Sequence, residues 1–357
     1  MWFGSAVRAI AILMIVLAVN DSALAGKKIA LCIGIDQYGG ANQLSGCVND
    51  AREWQGFFNG AGFENGAGSP VQTLLDGAAN RNGIIGAIRT VVERAVSGDI
   101  VVIQYSGHGT FLPGGQDEAQ DEAIVPVDLD VIVDDDIGLL IDRAVPGVGI
   151  YIFFDCCHSG TGTRVFAPPV ARPRAFGDQT KARFMTATPA MIANARQRHL
   201  ARTRSRSRGI FEANPRMREI LFAACQPDEN SIETNGHGVF TTAALRVLQN
   251  GFSGSNSTFI QNVVAAMGQS RPQTPQISCA PGNENLPFFS SGTATQQPGT
   301  TPIPPGQVSA NTTFEEILAT LNKISGIAVE LPPKRSLIPP QNIDELIEYL
   351  NGIAADE

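Results

Sequence analysis

The chain has 357 residues, enough to bury a sizeable core and to hold two or three domains, and its 43% hydrophobic content fits a soluble globular protein. Six cysteines over this length exclude a disulfide scaffold. The formal net charge of −8 conceals an uneven distribution, because residues 164–218 carry thirteen Lys or Arg against only Asp178 and Glu212.

In chain order, the first segment reads as a leader. Arg8 precedes an apolar run from Ala9 to Val19, and "ALA" stands before Gly26. A basic start, a short apolar core and small residues predict a secretory signal cut after Ala25. The run falls well short of the roughly 20 residues a membrane-spanning helix needs. Localisation is therefore expected to be exported, periplasmic or secreted, with no stable membrane anchor. Next, "KKIALCIGIDQY" is a continuous apolar run suited to a buried parallel strand, with Cys32 as a small core hydrophobe. "NDAREWQGFF" predicts a helix capped by Asn49, with Trp54, Phe57 and Phe58 on one face. Ile84, Ile88, Val91, Val92 and Ala95 set a second helical period. "DIVVIQYSGHG" and "GVGIYIFFDCCHSG" each predict a buried strand breaking into a glycine-containing loop. "REILFAACQPDE" predicts a further strand and "GVFTTAALRVLQNG" a further helix. Strands alternating with helices predict an α/β fold, a mainly parallel sheet with helices on both faces. In such sheets the functional crevice lies beyond the carboxyl ends of the strands, where His108 and Cys157 would stand.

Two segments break this rhythm. The basic stretch 164–218 reads as a solvated, flexible insertion; it lacks aromatic interleaving, and no nucleic-acid partner is expected. Residues 290–312 form a Pro/Thr/Gly-rich linker. It leads to a small helical module over 313–357, with capping boxes at Thr313 with Glu316 and Asn342 with Glu345. The remainder, 26–289, is one domain.

The chemistry concentrates in "DCCH". A zinc site needs ligands spaced so that their side chains converge, which three contiguous residues do poorly. Read as a strand end, the segment places Asp155 and Cys157 on one side and Cys156 and His158 on the other. The nucleophile is therefore Cys157, and its base comes from another strand end. His108, flanked by glycines in "SGHG", fills that role; the rival His237 reads as a helix-start residue. A thiol with a pKa near ~8.5 needs an adjacent imidazole at neutral pH. Backbone N–H groups of Gly109 and Cys157 can supply an oxyanion hole.

These residues resemble the caspase-like cysteine peptidases, in which the histidine lies about 50 residues before the cysteine. The "SGHG" and "DCCHSG" motifs are similar to those of metacaspases, bacterial members included. So are "CVNDA" (Cys47–Ala51), "DEAIVPVD" (Asp121–Asp128), "VDDDI" (Val133–Ile137), "AACQPDE" and "HGVFT". The resemblance runs from about Lys28 to Phe289 and implies a caspase-like sandwich. It implies His108 and Cys157 as catalytic dyad, and cleavage after Arg or Lys through a pocket at Asp50, Ser106 and Asp155. It also implies a calcium site resembling Asp121, Asp134 and Asp135, with Arg164 standing where relatives carry a further acid. The function expected is an exported, Arg/Lys-directed cysteine endopeptidase acting on protein or peptide substrates. Self-cleavage is expected inside the basic insertion, around Arg198 to Arg208. A related dyad hydrolase or transpeptidase, and a non-catalytic caspase-like binding protein, are the alternatives.

Overall fold

A computed structural model describes residues 26–113, 120–157, 180–201, 210–211, 213, 215–227, 229–269 and 273–291, all within one compact unit, Leu24–Thr295. The leader, the linker beyond residue 291 and the C-terminal module expected from the sequence lie outside the described residues, as do His158, Arg164 and Arg202 to Arg208.

Strands β1 (Lys28–Gly34), β2 (Gln72–Leu75), β3 (Ile100–Ser106), β7 (Gly149–Asp155), β9 (Glu219–Ala223) and β12 (Gln276–Ser278) form the main sheet, in the order β12-β9-β7-β3-β1-β2. All neighbours are parallel except β12, which runs antiparallel to β9. Between these strands run the short elements β4 (Gly109–Pro113), β5 (Gln120–Ile124), β6 (Ile132–Val133), β8 (Lys181–Ala182), β10 (Ile232–Thr234) and β11 (His237–Gly238). They make two small sheets, β4-β5-β6 and β11-β10-β8. The helices are α1 (Cys47–Gly60), α2 (Arg81–Arg94), α3 (Asp134–Ile141), α4 (Pro189–Ala201), α5 (Val239–Gln249) and α6 (Asn256–Met267).

Strand alternation divides the core into two layers. Ile150, Ile152, Phe154 and Cys156 pack with Ile84, Ile88 and Val91 of α2 and Ile137 and Ile141 of α3. Tyr151 and Phe153 pack on the opposite face with Trp54 and Phe58 of α1, Phe240 of α5 and Phe259 of α6. Helices therefore cover both faces, as the alternation of elements predicts, and Cys32 lies buried in the second layer. None of the six cysteines is in a disulfide.

Two local expectations are corrected, and the acidic run takes a definite structure. Helix α1 begins at Cys47, before Asn49, and has no side-chain cap of its own. Asp36, eleven residues earlier, caps it from outside: its carboxylate accepts the N–H groups of Cys47 (2.8 Å) and Val48 (3.3 Å). Asn49 is left to donate to the Gly236 carbonyl at 3.0 Å. The acidic run is structured as well. Gln120–Ile124 pairs with β4, and Asp134, Asp135 and Asp136 are buried in the first turn of α3, where the helix dipole favours anions. Asp136 meets the guanidinium of Arg81 at 2.6 Å. Finally, residues 180–201 of the basic stretch form β8 and α4, so the description of that stretch as a flexible insertion fails there.

Candidate active site

The loops after β3 and β7 meet at the carboxyl end of the sheet. The register pairs Ser106 with Asp155, so His108 and Cys157 leave their strands side by side. A Cβ at Gly109 would stand 1.9 Å from the Cys157 carbonyl oxygen, a distance no side chain tolerates. Glycine at 109 is what lets the histidine loop lie against Cys157.

His108 is buried and held on three sides. Tyr38 packs its ring against the imidazole, with centroids 4.6 Å apart, and accepts the His108 N–H at 3.0 Å. The Tyr105 hydroxyl donates to the His108 carbonyl at 2.8 Å. The ring Nε2 lies 2.7 Å from the carbonyl oxygen of Asn42. A carbonyl only accepts, so Nε2 carries the hydrogen and Nδ1 bears the lone pair. Nδ1 is buried without a partner among the described residues, the state required of a base awaiting a proton. Burial, reinforced by Arg183, lowers the His108 pKa to about 4 despite the bond to Asn42.

The sign of that shift yields a test. A histidine whose folded pKa lies below its ordinary 6.5 leaves stability intact above that value and removes it as pH falls through about 4, because the unfolded chain takes the proton first. The melting temperature of a Cys157→Ala chain is expected to drop between pH 6.5 and 4, and part of that drop should vanish when His108→Gln is added. An identical pH profile in both chains would contradict a buried neutral imidazole.

Strand parity holds at Cys157. Cys156 is in the α2/α3 core layer, whereas Asp155 and Cys157 face the other way. The Ser231 N–H donates to Cys157 Sγ at 2.8 Å. What then fills the cleft is the chain itself. Residues Lys181 and Ala182 pair antiparallel with Glu233 and Ile232, and the Arg183 N–H donates to the Ser231 carbonyl at 2.9 Å. The Arg183 carbonyl oxygen accepts from both Gly109 N–H (3.0 Å) and Cys157 N–H (3.2 Å), the two groups proposed as oxyanion donors.

The Arg183 side chain is fully buried in a ring of carboxylates. Its guanidinium lies 2.6 Å from Asp50, 3.1 Å from Asp155 and 3.6 Å from Glu233. Burial alone would lower its pKa, but Asp155, Cys47, Asp50 and Glu233 outweigh that and hold it above its ordinary value. The acids are themselves anchored. Asp155 accepts from Ser231 Oγ (2.6 Å) and from the Thr241 hydroxyl and N–H (2.8 and 3.1 Å). Asp50 accepts from Gly238 N–H, and Glu233 from the N–H groups of Ser45 and Gly46. A Cβ at Gly238 would stand 2.1 Å from Asp155 Oδ2 and 2.6 Å from the guanidinium, so the pocket needs a glycine there.

Of the residues the resemblance assigned to this pocket, Asp50 and Asp155 are brought together and Ser106 is not: its hydroxyl accepts from Gln104 Nε2 at 2.8 Å. Glu233 was missed, since nothing in "NSIETNG" marks it as buried. Asn42 was missed because it acts through its backbone carbonyl, which the sequence does not advertise. His237 does not cap α5, whose N-cap is Gly238. Instead His237 Nδ1 lies 3.6 Å from Asp50, which raises its pKa.

The expected calcium residues are placed at one corner, Asp121 on β5 and Asp134 and Asp135 at the start of α3. Asp134 accepts the Ile210 N–H at 3.1 Å. Among the described residues, the ligand-type trio whose atoms lie within 4.8 Å of one another is Asp36, Cys47 and Glu233, not these three.

Residues 27–286 match the caspase domain family model. The chain belongs to the caspase-domain family. That family consists of cysteine-type peptidases, and the matched range contains both His108 and Cys157. Among curated relatives of this caspase-domain protein, metacaspase-1 of Meyerozyma guilliermondii is 38% identical over 38% of this chain and 36% of the relative. Metacaspase-1 of Kluyveromyces lactis is 26% identical over 74% of this chain and 68% of the relative. The chain thus spans about a third of the length of the first of these. A solved protein of Geobacter sulfurreducens shares the fold with a TM-score of 0.57 and 26% identity, over 73% of this chain and 97% of that one.

Proposed function

We propose that this chain is an exported cysteine endopeptidase that cuts after arginine or lysine, and that its first substrate is its own Arg183–Phe184 bond. One observation carries the reading. Arg183 fills an acidic pocket while its carbonyl oxygen accepts from the N–H groups of Gly109 and Cys157. That is the disposition of a substrate residue whose carbonyl is about to become an oxyanion. Export rests on the signal-like leader.

In the chemistry proposed, neutral His108 takes the Cys157 proton at Nδ1, and Sγ attacks the carbonyl carbon of the residue in the acidic pocket. The oxygen gains charge against the N–H groups of Gly109 and Cys157. His108 returns its proton to the departing amine, and water then hydrolyses the thioester. The Asn42 carbonyl holds the ring by Nε2 throughout. The self-cleavage position proposed differs from the sequence expectation of Arg198 to Arg208, of whose arginines only Arg198 lies among the described residues. That residue lies within α4, paired with Asp130, in helical backbone that would have to unwind to enter the cleft.

Peptides ending in Arg, Lys or Asp before a reporter group test the reading. The wild-type chain is expected to turn over the Arg and Lys peptides and to ignore Asp by at least 10²-fold, on the order of 2.7 kcal/mol. Comparable turnover of the Asp peptide would refute it.

A further inference from the structure

The strand that enters the cleft continues past Arg183, and its next two residues are held as specifically as the first. Phe184 forms a parallel bridge with Gly109, and the Met185 N–H donates to the Gly109 carbonyl at 3.0 Å. Strand alternation then sends the two side chains to opposite sides. The ring of Phe184 stacks on Phe111 of β4, with centroids 5.8 Å apart and planes 24° from parallel. Met185, 4% exposed, closes an apolar cluster with Leu112, Val125, Val131 and Met191. That cluster is separate from both core layers of the main sheet.

We propose that the β4–β5 hairpin is the specificity surface for the leaving side of the substrate. Phe111 selects an aromatic residue immediately after the cut, and the cluster around Leu112, Val125 and Val131 selects an unbranched apolar residue after that. This rests on reading Arg183 as the residue before the cut. Recognition would come from complementarity at a fixed register. The Gly109 carbonyl and N–H bind the strand on either side of the Arg183–Phe184 bond, so the next two side chains have no choice of where to go. A carboxylate over the Phe111 ring would face the negative face of its quadrupole, and an ammonium inside the apolar cluster would be buried without a partner. Methionine suits the second position because its unbranched, flexible side chain fills irregular apolar gaps.

The test uses the purified full-length chain and internally quenched peptides that share Ala-Arg before the cut and differ after it: Phe-Met, Asp-Met or Phe-Lys. Benzoyl-arginine ethyl ester, which has no residue beyond the scissile bond, is run alongside. The expected result is hydrolysis of the ester, with kcat/KM for Phe-Met at least tenfold above that for Asp-Met and for Phe-Lys. In Phe111→Ser the ratio of Phe-Met to Asp-Met should fall to within twofold, and in Phe111→Tyr it should persist, which separates loss of the ring from loss of the fold. Ester hydrolysis with all three peptides within twofold of one another overturns this inference alone. Failure to hydrolyse the ester overturns the arginine reading and takes this inference with it.

Discussion

Replacing Cys157 with alanine is expected to lower peptidase activity by on the order of 10⁴-fold or more, and His108→Ala by a similar factor, because each leaves the other without a partner in one proton transfer. Cys156→Ala is the informative control. Its side chain belongs to the apolar layer with Phe154 and the residues of α2 and α3, on the far side of the sheet from the cleft. Deleting that sulfur should cost about 1 kcal/mol of stability and leave kcat within about threefold. Activity measured on all three folded variants checks the assignment. Equal loss from Cys156→Ala and Cys157→Ala would reverse the parity argument.

The second large effect is expected at the acidic pocket. Asp155→Ala should reduce kcat/KM for arginine peptides by on the order of 10²-fold or more, since it removes a buried partner of the guanidinium. It also strands Ser231 Oγ and the Thr241 hydroxyl, so a second variant is needed that leaves the charges alone. Gly238→Ala serves, because its Cβ would intrude between Asp155 and the guanidinium. The readout is the ratio of arginine to citrulline peptides, isosteres that differ in charge. Wild type should strongly prefer arginine, and both variants should lose most of that preference. An unchanged ratio in Asp155→Ala would mean that these carboxylates stabilise the fold and do not select the substrate.

Much of this site is legible in the sequence. Continuous apolar runs that break into glycine-containing loops identify β1, β3 and β7, because strands buried on both faces carry no alternation to hide them. The period of two then separates Cys157 from Cys156 without further information. What escaped the sequence did so for physical reasons. Arg183 is one of thirteen basic residues in its stretch, and only the fold shows which of them meets three carboxylates. Glu233 and Asp36 act over long sequence separations on backbone N–H groups, where no spacing rule applies. The burial of Asp136 is not legible in the acidic run because it depends on Arg81, which lies far away in sequence.

The decisive measurement is the intact mass of the purified wild-type chain and of its Cys157→Ala and Arg183→Ala variants after incubation. Wild type should yield fragments that meet between Arg183 and Phe184, Cys157→Ala should stay whole, and Arg183→Ala should lose that cut. Fragments meeting at Arg183 in the Cys157→Ala chain, or wild-type fragments that meet only within residues 198–208, would contradict the account.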